Sequence, residues 1–254
     1  MLFALVIILS WLMTTCGIFV FLTLSNTGIP AGYGRYSNPK PSGQTLPANL
    51  AWIIQESPAF FIPAFFYWNT EILTRFGEFL LVLLLINYGY RTFIFPFLLK
   101  SENRTPVEIV AMAFGFCVWN GFIQGTWNAR YQPEYEEFHP KFLVHLGVVM
   151  FFTGFLLHII SDLYLISLRR STPTASYTIP HGLLFNYISC PNYFGECLEW
   201  IGYALAARSF PAIAFAFFTV CNLAPRAMSH HKWYKERFGE KYPKDRKALV
   251  PMIW

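Results

Sequence analysis

Charge is scarce in this sequence: 13% of its 254 residues are Asp, Glu, Lys or Arg, against 55% hydrophobic and 19% aromatic. That balance excludes an ordinary soluble domain, where about a quarter of residues are charged. Cysteine is scarce too. The five thiols, Cys16, Cys117, Cys190, Cys197 and Cys221, are odd in number, form no C-x-x-C pair and lie mostly in apolar stretches. They read as structural thiols rather than a disulfide framework or a zinc site. Apart from His230-His231, the histidines stand singly at His139, His145, His158 and His181. The repeated H-x-x-x-H spacing of a membrane di-iron site is missing, so no metal is expected. No predicted strand precedes Gly32-Tyr33-Gly34-Arg35 and no βαβ unit fits around it, which excludes a Rossmann domain. Internal repeats and low-complexity segments are also missing. A single domain over residues 1–254 is expected, with membrane lipids and not nucleic acid as its surroundings.

Long apolar runs are abundant. They cover Leu2 to Leu24, Leu50 to Trp68, Phe79 to Leu99, Val107 to Trp127, Phe142 to Ile166, Phe194 to Ala207 and Phe210 to Leu223. Most of these reach the roughly 20 residues that a helical span requires. The expected fold is all-α, a polytopic membrane protein of seven transmembrane helices with cytosolic loops and a C-terminal tail. The last two segments are short and separated by Arg208 to Pro211, so a broken helix pair lining a cavity is the alternative there. Met1 to Leu24 lacks a basic n-region and a clear cleavage site, and reads as a retained first span.

Seven spans put Arg35, Arg104, Arg169, Arg170 and the eight Lys and Arg between Arg226 and Lys247 on one face. Arg75, Arg130, Lys141 and Arg208 fall on the other. The positive-inside rule then makes the tail-bearing face cytosolic. That face would belong to the endoplasmic reticulum in a eukaryote and to the inner membrane in a bacterium.

Within the apolar runs stand Gln55, Glu56, Asn87, Arg91, Asp162, Asn192, Glu196 and Glu199. Each charge facing lipid costs about 2.5–3.5 kcal/mol even on the lenient scale. These groups must therefore meet one another, a ligand or a water-filled cavity. Asn192, Glu196 and Glu199 share a helical stripe by i, i+4, i+7 spacing, just after Pro191 and near a helix N-terminus suited to an anionic or polar group. Pairing of the two glutamates with arginines is the structural alternative. His158, Asp162 and Arg169 share another face, with Asp162 suited to a sugar hydroxyl and Arg169 with Arg170 to phosphates, or with Asp162 simply paired to Arg91. Arg226, His230, Tyr234 and Arg237 recur at helical spacing in a segment too polar to span, which reads as a cytosolic cap. Glu56, among Trp52, Phe60 and Phe61, is expected to stay protonated and to donate a hydrogen bond, with Tyr88 as a second donor. Two donors in an aromatic cavity suit a carbonyl that gains negative charge in a transition state.

In order, the stretches Ala31 to Arg35 (AGYGR), Ala51 to Pro58 (AWIIQESP), Tyr90 to Phe93 (YRTF), Asn120 to Gly125 (NGFIQG), Ser161-Asp162, Ile179 to Gly182 (IPHG), Asn192 to Ala206 (NYFGECLEWIGYALA), Pro211 to Phe218 (PAIAFAFF) and Tyr242 to Pro251 (YPKDRKALVP) resemble the steroid 5α-reductase family over nearly the whole chain. The resemblance implies NADPH-dependent reduction of the Δ4 double bond of 3-oxo steroids within a seven-helix bundle. It implies Glu56 and Tyr88 on the 3-oxo group, with Trp52 and Gln55 beside the substrate. It implies Arg35, Arg91, Arg104, Asp162, Arg169, Tyr177, Asn192, Glu196, Arg226, His230 and Tyr234 on the cofactor side. Phe95, Leu99, Ile160, Thr178 and Ser229 depart from the vertebrate pattern and remove potential dinucleotide contacts. The rival readings are a related reductase of polyprenols, enoyl thioesters or another sterol bond, a membrane methyltransferase using S-adenosylmethionine, and a transporter.

Overall fold

The computed structural model describes residues 1–27, 43–71, 73–99, 104–138, 140–171 and 177–253. Arg35 and the rest of the AGYGR stretch lie outside these residues. Eight α-helices follow in chain order among the described residues: α1 Leu2–Thr27, α2 Ala48–Asn69, α3 Arg75–Phe93, the short α4 Phe95–Leu98, α5 Val107–Arg130, α6 Phe142–Ser171, α7 Pro191–Ala207 and α8 Phe210–Phe238. Each of the seven long helices overlaps one of the seven expected apolar segments. Five of them, α1, α3 running on through α4, α5, α6 and α8, have the length and composition to cross a membrane. The chain is a polytopic, all-α membrane protein.

Two tripeptide strands, β1 Thr45–Pro47 and β2 Arg104–Pro106, pair antiparallel and bring the starts of α2 and α5 together. Each strand ends in a proline at a helix boundary, where a missing N–H costs nothing. Arg104 fastens the pair, donating from Nε to Thr45 Oγ1 and from Nη2 to Thr45 O, both at 2.7 Å.

The contacts gather the described residues into two compact units. The first draws on Met1–Leu12, Ala31–Val144 and Ala207–Phe215, and the second on Met13–Pro30, His145–Ala206 and Ala216–Trp254. In the first unit α2 packs on α3 and α5. Helix α2 contains Pro58, which has no N–H for the carbonyl of Ile54. Ser57 Oγ donates to that carbonyl at 2.9 Å instead, so the helix passes its own proline beside Glu56 with no orphaned acceptor. Thr74 caps α3, its Oγ1 accepting from Gly77 N at 3.0 Å.

In the second unit α6 and α7 run antiparallel along a seam of glycines. A Cβ on Gly147 would meet Gly202 O and Ala206, and one on Gly154 would meet Gly195 O and Glu199 N. On the facing helix, Gly195 lies against His158 and Gly154, and Gly202 against Phe151 and Gly147. The i, i+7 spacing on both helices keeps each pair on one face. Backbone thus approaches backbone with nothing between, as small residues allow in membrane helix pairs.

The structure corrects one boundary. Helix α8 does not stop at Leu223 before a separate cap, but continues unbroken through Pro225 to Phe238. An apolar run measures lipid contact, whereas the helix persists as long as its hydrogen-bond ladder does. The break between α7 and α8 falls at Arg208, which adopts a left-handed φ of 49°.

Candidate functional site

Each unit holds its own buried polar group. In the first, Glu56 on α2 is 6% exposed and Tyr88 on α3 is 5% exposed. Arg91, one turn beyond Tyr88 on α3, donates from Nη2 to Glu56 Oε1 at 2.9 Å and from Nε to Glu56 Oε2 at 3.2 Å. This fork-to-fork geometry is the strongest form of the Arg–carboxylate contact. Glu56 therefore accepts from an arginine here, where the sequence reading had it donate a proton. Arg91, expected on the cofactor side, pairs with Glu56, expected on the substrate side. Its guanidinium also lies 5.0 Å from the centre of the Trp52 ring, and that ring meets Phe95 edge-on at 4.9 Å. Gln55 is buried beside Glu56 and Asn87 beside Tyr88. The Cys117 thiol lies 4.0 Å from Glu56 Oε2, and Asn120 Nδ2 donates to Tyr88 Oη at 3.1 Å. Phe60, Phe61 and Phe93 pack edge-to-face on one another. Arg104 serves the strand pair.

In the second unit the glycine seam sets the geometry. It brings α6 close enough to α7 for His158, already beside Asp162 on its own helix, to reach Glu199. His158 Nε2 lies 3.2 Å from Asp162 Oδ2 and Nδ1 lies 3.6 Å from Glu199 Oε2, with Glu199 fully buried. Asn192 Nδ2 donates to the other Asp162 oxygen at 3.0 Å. The expected stripes on α6 and α7 thus meet, with His158 as the link. Glu199 faces this histidine. Glu196 is partly buried on the same face of α7 and Arg169 is exposed at the end of α6.

Further along, α8 presents three of the remaining expected residues. Arg226 Nε donates to Asn222 Oδ1 at 3.0 Å. His230 Nε2 lies 3.2 Å from Tyr193 Oη, and Tyr234 stacks on Tyr242 at 5.5 Å with 8° between the rings. Tyr177 meets Trp233 edge-on at 5.0 Å. The sequence reading missed the support beneath these groups. Ser189 Oγ lies 2.6 Å from both His231 Nδ1 and Tyr242 Oη. Burial raises the Tyr242 hydroxyl above its ordinary pKa, so it stays protonated within this network. Buried Arg246 donates to Pro180 O at 3.2 Å. The tail also pairs by backbone with the segment leading into α7, through Ser189 N to Lys247 O at 2.9 Å, Cys190 N to Ala248 O at 3.2 Å and Lys247 N to Tyr187 O at 2.8 Å.

A helical membrane protein with ionisable side chains gathered inside both of its units belongs to the class of intramembrane binding proteins and enzymes. The comparisons with known proteins narrow this. Residues 103–254 match the family model described as 3-oxo-5-alpha-steroid 4-dehydrogenase. The chain is 39% identical to the bovine 3-oxo-5-alpha-steroid 4-dehydrogenase 1, over 96% of this chain and 95% of the relative. It is 41% identical to the human 3-oxo-5-alpha-steroid 4-dehydrogenase 2, over 89% of each. With the Arabidopsis thaliana steroid 5-alpha-reductase the identity is 38%, over 89% of this chain and 88% of the relative. The chain belongs to the steroid 5α-reductase family.

Proposed function

We propose that this protein reduces the Δ4 double bond of 3-oxo-Δ4 steroids to 5α-steroids with NADPH, the whole chain acting as one reductase domain. The observation that carries the reading is the buried Glu56, Tyr88 and Asn120 with the part-buried Arg91, a polar group in an otherwise apolar environment. A steroid is almost wholly apolar, and its 3-oxo oxygen is the one atom of the enone that needs polar partners. Both relatives named for 3-oxo-steroid chemistry and the plant reductase support that substrate class.

When bound, NADPH supplies the hydride that reduces C5 of the enone. Tyr88 donates to the C3 oxygen, stabilising the charge that develops there as the enone becomes enolate-like. Glu56, forked to Arg91, holds that guanidinium beside the same oxygen, where its positive charge polarises the carbonyl. The enolate then takes a proton at C4. Trp52 and Gln55 border the ring system. The apolar helices keep water away, which strengthens each of these bonds.

The residues of the second unit fit a dinucleotide by their chemistry. Asp162 is an acceptor for a ribose hydroxyl, Arg169 and Arg226 are cations for phosphate, and Tyr234, Tyr177 and His230 offer ring faces and a polar edge. Asn192 and Glu196 lie on the first two turns of α7. In this reading the face carrying Arg169 and the tail is cytosolic, where NADPH is available.

Turnover of a 3-oxo-Δ4 steroid by the purified protein tests the assignment. Glu56→Gln, which breaks the fork to Arg91, and Tyr88→Phe, which removes a donor, should each lower kcat on the order of 100-fold or more, with NADPH affinity retained. Their effects should not multiply, because both groups serve one oxygen. Near-normal turnover by both variants sinks the assignment.

A further inference from the structure

Helix α5 carries three side-chain amides one turn apart, Asn120, Gln124 and Asn128, each 1% exposed. Spacing of i, i+4, i+8 sets them on one stripe. An amide has a donor end and an acceptor end of nearly the same shape, so what it offers one neighbour is fixed by its other partner. Here one partner allows no choice. Gln124 Nε2 lies 2.8 Å from the backbone carbonyl oxygen of Pro211, at the start of α8, and a carbonyl only accepts. Gln124 is therefore turned with its NH2 end toward Pro211. The same NH2 group reaches Asn120 Oδ1 at 3.4 Å. With its oxygen engaged, Asn120 presents its own NH2 end to Tyr88 Oη at 3.1 Å.

The bonds from Gln124 to Asn120 and from Asn120 to Tyr88 point the same way, toward the phenol. Tyr88 accepts from Asn120, so its single proton is directed elsewhere. Were Asn120 reversed, it would accept that proton and the phenol would cease to be a donor to anything else.

We propose that Asn120 and Gln124 are positioning residues that hold Tyr88 as a hydrogen-bond donor toward the substrate oxygen, with the Pro211 carbonyl setting the direction. The proposal rests on the reading of Tyr88 as the donor to the 3-oxo group. Neither amide touches substrate. Each acts through the phenol, and that distinguishes this role from packing.

The test is a pair of variants in two backgrounds, with kcat, steroid KM and NADPH affinity measured in each. In the Tyr88 protein, Asn120→Leu and Gln124→Met should each lower kcat by roughly tenfold, the effect of one hydrogen bond, with NADPH affinity unchanged. In the Tyr88→Phe background the same substitutions should change kcat by less than about twofold, because the group they act through is gone. Should Asn120→Leu fail to fold, Gln124→Met carries the test, being one residue further from the phenol. Losses of the same size in both backgrounds would show a packing role and overturn the proposal. So would unchanged kcat in both amide variants when Tyr88→Phe is impaired. Wild-type turnover by Tyr88→Phe alone would instead remove the donor reading beneath it.

Discussion

Arg91 holds Glu56 through two roughly parallel bonds of 2.9 and 3.2 Å, with the two side chains 15% and 8% exposed. The pair crosses from α3 to α2, and each charge is the other's means of being inside an apolar bundle. Arg91→Met should destabilise the protein by roughly 3–5 kcal/mol, because it leaves an uncompensated carboxylate. Restoring neutrality with Glu56→Gln on top of it should recover most of that loss. Thermal unfolding in detergent measures both. An Arg91→Met protein of wild-type stability would mean that the pair is not what keeps these helices together.

The glycine seam makes a second, opposite-signed pair of expectations. Gly154→Ala puts a methyl against Glu199 N and Gly195 O, backbone atoms that have nowhere to go. A loss of about 1–3 kcal/mol is expected from overpacking. NADPH affinity should fall with it, because α6 and α7 part and His158 is drawn away from Glu199. Gly115→Ala on α5 meets nothing within 4 Å and should be neutral or stabilising by up to about 1 kcal/mol.

Cofactor and substrate variants should separate cleanly. Asn192→Ala removes the bond to Asp162, and Arg169→Ala removes an exposed cation; each should weaken NADPH binding by roughly tenfold. Steroid KM should be little changed. Normal NADPH affinity in both variants, with failure only toward steroid, would reverse the assignment of the two units.

Orientation is tested by labelling. A reporter after the C-terminus and one in the segment following α6 should report the cytosolic face. A cysteine at exposed Glu136 should report the opposite face. Gln132 is a poor place for such a label, being buried, with its side chain donating to Ala207 O at 3.0 Å. A tail on the outer face would part the basic residues from the NADPH supply.

The buried polar groups were legible because charge in an apolar run is costly enough to demand a reason, and that singled out Glu56, Asp162 and Glu199. The contact between His158 and Asp162 was also legible, as an i, i+4 pair. Pairing across helices was not. Glu56 and Arg91 are 35 residues apart, and no periodicity says which of several arginines a carboxylate will meet. Asn120, Gln124 and Asn128 obeyed the same stripe rule as the acidic residues but were passed over, since an amide in a helix raises less alarm than a charge. The glycines at 147, 154, 195 and 202 showed their spacing in the sequence, whereas the fact that the two rows face each other belongs to the tertiary structure. Helix α8 outran its apolar stretch for a related reason, because hydropathy reports the surroundings of a helix and not its end.

The pairing of residues 187–190 with 247–248 bears on the order in which the chain is completed. Ser189 and Cys190 lead directly into the helix that carries Asn192, yet the carbonyls they bond to belong to Lys247 and Ala248. At roughly 5–20 residues per second, those two residues are added several seconds after Ser189. For that interval α7 lacks its backbone anchor, and Ser189 and His231 lack Tyr242. The half of the protein assigned to the dinucleotide is therefore finished last, after the helices assigned to the steroid have been made, and a nascent chain stalled short of residue 247 is expected to bind NADPH weakly.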